Sequence, residues 1–165
     1  MTNHETPVLV VTTGGTIDKV YFDAKSDYEV GDSVVEELLN EAHVRYPWEM
    51  LPLLKKDSLD LTDEDRRMIH DAIAAKPHKR VIITHGTDTM TETANTLADL
   101  KDRIIVLTGA LSPARFAHSD ATFNVGMAFA AIQVLEPGVY IVMNGQVFEA
   151  ARVRKDRDKN AFVDR

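Results

Sequence analysis

Cysteine is absent from the sequence, so a disulfide framework, a thiolate nucleophile and a cysteine-based metal site are all excluded, and nothing points to an oxidising compartment. A cytoplasmic location is the expectation. Basic charge is in short supply: 19 Lys and Arg face 26 Asp and Glu, for a formal net charge of −7. A nucleic-acid partner needs a basic footprint from which counterions are released, and this balance argues for a small molecule or a protein instead. Long hydrophobic runs are missing as well. Val8 to Val11 is too short for a signal-peptide core or a membrane span, and the opening Met1 to Pro7 carries no basic region. The chain is therefore expected to be mature from residue 1 and to have no membrane partner.

With 165 residues and 44% hydrophobic content, the chain fits one compact domain over residues 1–165. Four short apolar runs rich in β-branched residues read as buried strands: Val8 to Thr12, Arg80 to Thr84, Ile104 to Thr108 and Val139 to Met143. Residues 44–54 are expected to add a fifth. Between them, apolar positions recur at three and four over Ser33 to Ala42, Thr62 to Ala75, Thr89 to Leu100 and Asp120 to Leu135, which predicts helices. Ser33 and Thr62 each precede an acidic residue as an N-cap does, and Pro77 stands just beyond the second helix. Strands apolar throughout, alternating with helices, predict a three-layer α/β fold around a mostly parallel sheet. Lys19 to Asp32 and Arg152 to Arg165 lack a period and are expected to be loosely held.

Ligands of such sheets bind at the carboxyl ends of the strands, here Thr12 to Thr16, Thr84 to Thr89 and Thr108 to Ser112. In Thr12-Thr13-Gly14-Gly15-Thr16, paired glycines permit a sharp turn with positive φ and close approach of a ligand to the backbone. The Thr16 hydroxyl would face that ligand, and exposed N–H groups of the turn could hold an oxyanion. A plain turn or a phosphate loop is the competing interpretation, but neither GxGxxG nor GxxxxGK[ST] is present. Thr84-His85-Gly86-Thr87-Asp88-Thr89-Met90 sets Thr87 and Asp88 at a strand-to-helix corner, where Asp88 could equally be an N-cap. A threonine hydroxyl needs a base or a positive neighbour to act as a nucleophile. Lys155 is a candidate, although it is one of five basic residues between Arg152 and Lys159, a run that reads on composition as a solvated face. His85 and His118 have no HxH or HExxH pattern around them, so no metal is expected.

These motifs resemble those of the bacterial-type L-asparaginase family: Thr13-Gly-Gly-Thr-Ile17, and His85-Gly-Thr-Asp-Thr-Met90 with Glu92-Thr-Ala94. The resemblance continues in order through Asp27-Tyr28 with Val30-Gly31, Lys56-Asp57-Ser58, Leu107-Thr-Gly-Ala110, Ser119-Asp120 with Asn124, and Val142-Met-Asn144. It implies a flavodoxin-like, Rossmann-like N-terminal domain that hydrolyses asparagine to aspartate and ammonia without a cofactor, as a homodimer or homotetramer. By the same resemblance Thr16 matches the primary nucleophile and Tyr28 the tyrosine of a mobile flap, with Tyr21 as its possible substitute. Thr87, Asp88 and Lys155 match the second threonine and its partners, with Lys159 as the fallback for the lysine. Ser58, with Asp57 beside it, matches the grip on the substrate's α-carboxylate, and Asp88 that on its α-amino group. Gly15 and Gly86 line the same pocket.

Two departures stand out. The family usually has a second, C-terminal domain that lends an acidic residue to a neighbouring subunit's site, and this chain stops at Arg165; the expectation is a short, single-domain form. Leu59 stands where the family commonly has glutamine. Loss of such contacts predicts weak substrate binding. Two other functions share these motifs or this pocket: an ammonia-releasing component of a tRNA-dependent amidotransferase, and a non-catalytic amino-acid sensor.

Overall fold

A computed structural model describes residues 6–24 and 26–165; the expectation for the first residues, Met1 to Glu5, lies outside the described residues. In chain order the elements are β1 (Val8–Gly14), β2 (Lys19–Phe22), β3 (Asp27–Val30), α1 (Val35–Glu41), β4 (Trp48–Lys56), α2 (Asp63–Ala74), β5 (Arg80–Thr84), α3 (Met90–Thr96), β6 (Ile104–Thr108), α4 (Ala121–Ile132), β7 (Gly138–Met143), β8 (Gln146–Glu149), β9 (Val153–Asp156) and β10 (Ala161–Asp164). The main sheet has the order β4-β1-β5-β6-β7-β8. Its first five strands are parallel and only β8 runs antiparallel, on β7.

Alternation of side chains along the strands builds both faces of the sheet from one apolar run. Leu9, Val11, Val81, Ile83, Ile105 and Leu107 point to the side covered by α2 and α3, where they meet Ile69, Ile73, Met90 and Leu97. Val8, Val10, Ile82 and Val106 point to the other side and meet Val35 and Leu39 of α1 and Val125, Phe129 and Ile132 of α4. Three layers result, and each fully buried Leu or Ile contributes about 1.5–3 kcal/mol.

The strand order reverses between β1 and β5. The chain leaves β1 outward to β4 and returns to the other side of β1 with β5, which opens a crevice at the carboxyl ends of those two neighbours. The second helix starts where a capping box puts it: Thr62 Oγ1 accepts from the Asp65 N–H at 3.1 Å, and Asp65 Oδ2 accepts from the Thr62 N–H at 3.0 Å. Ser33 is not the N-cap of α1, which begins at Val35; its Oγ accepts from the Val35 N–H at 3.2 Å and donates to Asp18 Oδ1 at 3.1 Å. The fifth strand lies at Trp48–Lys56 rather than 44–54, at the sheet's edge, where Pro52 is tolerated.

Both segments expected to be loose are hairpins. β2 pairs antiparallel with β3, with Tyr21 opposite Tyr28. β9 pairs with β10, and the charges of that segment conceal Val153 and Phe162, which are buried in the core. Among the described residues, no helix is long and apolar enough to cross a membrane.

Candidate active site

Three turns meet in the crevice with almost no side chain between them. Gly14 and Gly15 have φ of 109° and 88°, and the Gly15 N–H donates to the Lys56 carbonyl at 3.0 Å. A Cβ on Gly15 would lie 2.4 Å from the Gly86 nitrogen, and a Cβ on Gly86 would lie 2.6 Å from Ser58 Cβ and 2.7 Å from Ser58 Oγ. Glycine is required at both positions for the backbones to approach this closely. Two hydroxyls pin the arrangement: Thr13 Oγ1 donates to the Thr84 carbonyl at 2.7 Å, and Thr89 Oγ1 to the Ser58 carbonyl at 2.8 Å. Gly15, Gly86 and Ser58 are thus brought together, and Thr16 and Thr87 are the next residues along two of the abutting turns. Among the described residues, no backbone carbonyl accepts from the N–H of Thr16 or of Thr87. Uncommitted donors on adjoining turns can hold a developing anionic oxygen.

Thr87 carries the charged part of the site. Lys155 Nζ donates to Thr87 Oγ1 at 2.6 Å and to Asp88 Oδ1 at 2.8 Å. The lysine side chain is only 10% exposed and the aspartate 30%. The ammonium therefore sits in partial desolvation, where hydrogen bonds to a charged group are strong. Arg157 Nε stands 3.7 Å from the same Asp88 oxygen. Helix α3 has Thr89, not Asp88, at its N-cap position, without a side-chain capping bond; the aspartate faces the lysine instead. Lys159 is spent elsewhere, 3.9 Å from Asp156 and largely exposed.

A cleft of about 340 Å³ lined by Lys19, Tyr28, Lys56, Asp57 and Asp60 among others takes in Tyr28 and Asp57, whereas Thr16, Ser58, Thr87, Asp88 and Lys155 do not line it. Asp57 Oδ2 is 3.3 Å from Lys19 Nζ, and its Oδ1 accepts from the Leu59 N–H at 3.0 Å. Tyr21 and Tyr28 are both half-exposed. Their ring centroids are 5.2 Å apart, and Tyr28 meets Phe116 at 5.6 Å. Arg115 fastens the base of this hairpin by donating to the carbonyls of Asp18 at 2.9 Å and Asp32 at 2.7 Å. Buried at the same point, Asp18 has its carboxyl pushed above the usual range by burial, against the hydrogen bonds from Val34 and Ser33 and the charge of Arg115.

Residues 7–162 match the family model described as asparaginase, N-terminal. The chain belongs to the asparaginase family. Over 164 residues it is 33% identical to L-asparaginase 2 of Escherichia coli, covering 90% of this chain and 46% of that protein. A glutamyl-tRNA(Gln) amidotransferase component from Methanococcus vannielii is 28% identical over 173 residues, covering 90% of this chain and 38% of that protein. The solved structure of the thermostable L-asparaginase from Thermococcus kodakarensis superimposes with a TM-score of 0.82 at 28% identity, covering 96% of this chain and 51% of that one. The chain spans about half the length or less of the curated relatives it matches.

Other polar residues of this asparaginase-family fold support the site from behind. Asp120 accepts from the N–H groups of Leu111 at 3.0 Å and Ser112 at 3.1 Å, from Asn124 Nδ2 at 2.9 Å and from Asn144 Nδ2 at 2.8 Å. Burial raises its pKa, but the bonds from Asn144, Leu111 and Ser112 outweigh that and hold the carboxyl below its ordinary value. His85 is fully buried and pushed down to about 4 by burial, with the Arg66 charge acting in the same direction. No group of three or more His, Cys, Asp or Glu poised for a metal occurs among the described residues. Sequence reasoning missed Arg157, which lies inside a charge run; Asp120, Asn124 and Asn144 carried part of the resemblance, but not their convergence on one carboxylate, since the partners of Asp120 are scattered from Leu111 to Asn144.

Proposed function

We propose that this chain is an amidohydrolase with a threonine nucleophile that hydrolyses L-asparagine to L-aspartate and ammonia without a cofactor. The observation that carries this reading is the Lys155 ammonium bonded at 2.6 Å to Thr87 Oγ1 and at 2.8 Å to Asp88, next to the close contact of Gly15 with Gly86. Thr16 Oγ1 attacks the side-chain amide carbon, and the N–H groups of Thr16 and Thr87 stabilise the oxyanion. The C–N bond then breaks, the proton given up by the Thr16 hydroxyl passes to the nitrogen, ammonia leaves, and an aspartyl ester remains on Thr16. Water polarised by Thr87, with Lys155 and Asp88 behind it, adds to the ester, releases aspartate and restores the hydroxyl. Ser58 and Asp57 take the α-carboxylate end, Asp88 the α-amino group, and Tyr28 or Tyr21 closes over the nucleophile. All of these groups come from one α/β unit.

With Leu59 exposed beside Ser58, substrate affinity is low and the Michaelis constant high. We place the protein in the cytoplasm, as the absence of cysteine suits. We assign it a homodimer or homotetramer, in which exposed Phe123 of α4 and Val134 just beyond that helix would be covered; light scattering that finds a strict monomer rejects the assembly.

The test is product identification by NMR after incubation with L-asparagine and, in parallel, L-glutamine. Equal amounts of aspartate and ammonia are expected. Saturable binding without product would favour a sensor. Ammonia production that needs partner proteins and charged tRNA would favour the amidotransferase role, which the similarity to the Methanococcus vannielii protein keeps as the second reading.

A further inference from the structure

His85 has no part in the chemistry outlined above, yet it is fully buried and bonded at both ring nitrogens directly behind the site. Nδ1 lies 2.6 Å from the Gly86 carbonyl oxygen and Nε2 lies 2.7 Å from Thr93 Oγ1. A carbonyl only accepts, so Nδ1 carries the proton; Nε2, in a ring held neutral down to about pH 4, accepts from the Thr93 hydroxyl. The imidazole cannot drift. Its own backbone N–H donates to the Thr108 carbonyl at 2.9 Å, and its carbonyl is so close to Gly109 that a Cβ there would come within 2.3 Å.

The Gly86–Thr87 peptide is trans, so its C=O and N–H point in opposite directions. A ring that draws the Gly86 oxygen inward therefore turns the Thr87 N–H away from the interior, where no backbone carbonyl among the described residues accepts it. We propose that His85 is a positioning residue: its Nδ1–H fixes the Gly86–Thr87 peptide plane and so aims the Thr87 N–H at the oxyanion. This inference rests on the amidohydrolase reading.

The test compares His85→Asn with His85→Gln in kcat and KM for ammonia release from L-asparagine, with thermal melting as a control on folding. The asparagine amide reaches the place of Nδ1 and rescues the bond to Gly86; the glutamine amide reaches the place of Nε2 and does not. Since losing one oxyanion donor costs on the order of a hundred-fold or more in kcat, misaiming it in His85→Gln is expected to lower kcat about ten-fold or more at nearly unchanged KM, with His85→Asn within about three-fold of wild type. Equal kcat in the two folded variants overturns the proposal. If neither variant folds, nitrogen-15 NMR of the wild-type imidazole decides: protonated Nδ1 and bare Nε2 at neutral pH support it, and the opposite tautomer or a charged ring overturns it. A wild type that releases no ammonia defeats the amidohydrolase reading itself, and the positioning role with it.

Discussion

Replacing Lys155 by methionine keeps the aliphatic stem and removes the ammonium that joins Thr87 to Asp88. Two hydrogen bonds disappear, at 2.6 Å and 2.8 Å, and bonds to a charged group contribute about 1.5–3 kcal/mol each to stability. The full sum is not lost. Asp88 is 30% exposed, so water reaches it, and Arg157, 3.7 Å away, can close on the vacated oxygen. A net destabilisation of about 2 kcal/mol follows, which for a domain of this size lowers Tm by about 4–8 °C. The catalytic loss is larger. Without the ammonium, Thr87 has no charged partner to polarise its hydroxyl, and turnover is expected to fall by about 10²–10⁴, the range for removing one acid–base partner. Thermal melting and ammonia release on the same preparation separate the two effects. Adding Asp88→Asn to Lys155→Met should cost less than the sum of the two single changes, because the pair is already broken. A folded Lys155→Met variant with turnover within about three-fold of wild type would refute the coupling of lysine and threonine.

Three further outcomes follow from the geometry. Gly86→Ala forces a methyl group against Ser58 at 2.6–2.7 Å; overpacking of this kind costs about 1–3 kcal/mol, and calorimetry should show weakened asparagine binding together with a lower Tm. Asp120→Ala strips the acceptor from the N–H groups of Leu111 and Ser112 and from two asparagine amides, and urea denaturation should register a loss of about 2–4 kcal/mol. His85 sets an acid limit. Its pKa is 6.5 when unfolded and about 4 when folded, so the unfolded chain binds the proton more readily between those values. Stability is undiminished above pH 6.5, falls as pH drops toward 4, and by then has lost about 3 kcal/mol. A His85→Asn variant should show a correspondingly shallower slope across that window.

The parallel core strands were legible because β1, β5, β6 and β7 are covered on both faces and their apolar runs have no competing period. Hairpin β9–β10 was not, since Val153 and Phe162 are buried on one face while Arg154, Arg157 and Lys159 crowd the rest of the segment. β2–β3 escaped for a related reason: its cross-strand pair is Tyr21 with Tyr28, both half-exposed, so no buried face marks it. Within the candidate site, the threonine motifs and their glycines stood out in the sequence. The choice of Lys155 over Lys159 did not follow from spacing, because the two are four residues apart in one charge run. Pairing of β9 with β10 turns Lys155 toward Asp88 and leaves Lys159 with Asp156. His85 stood in no metal-binding pattern and carried no role in the sequence; its burial between Gly86 and Thr93 is what gave it one.

The central claim is that the hydroxyl of Thr16, on the turn pressed against Gly86, performs the attack. Ammonia release from L-asparagine, measured over a wide concentration range for wild type and Thr16→Ala side by side, tests it most directly. Turnover in the wild type that vanishes in a variant with unchanged melting is the predicted result. Turnover that survives in Thr16→Ala, or none in the wild type even at high substrate, would contradict it.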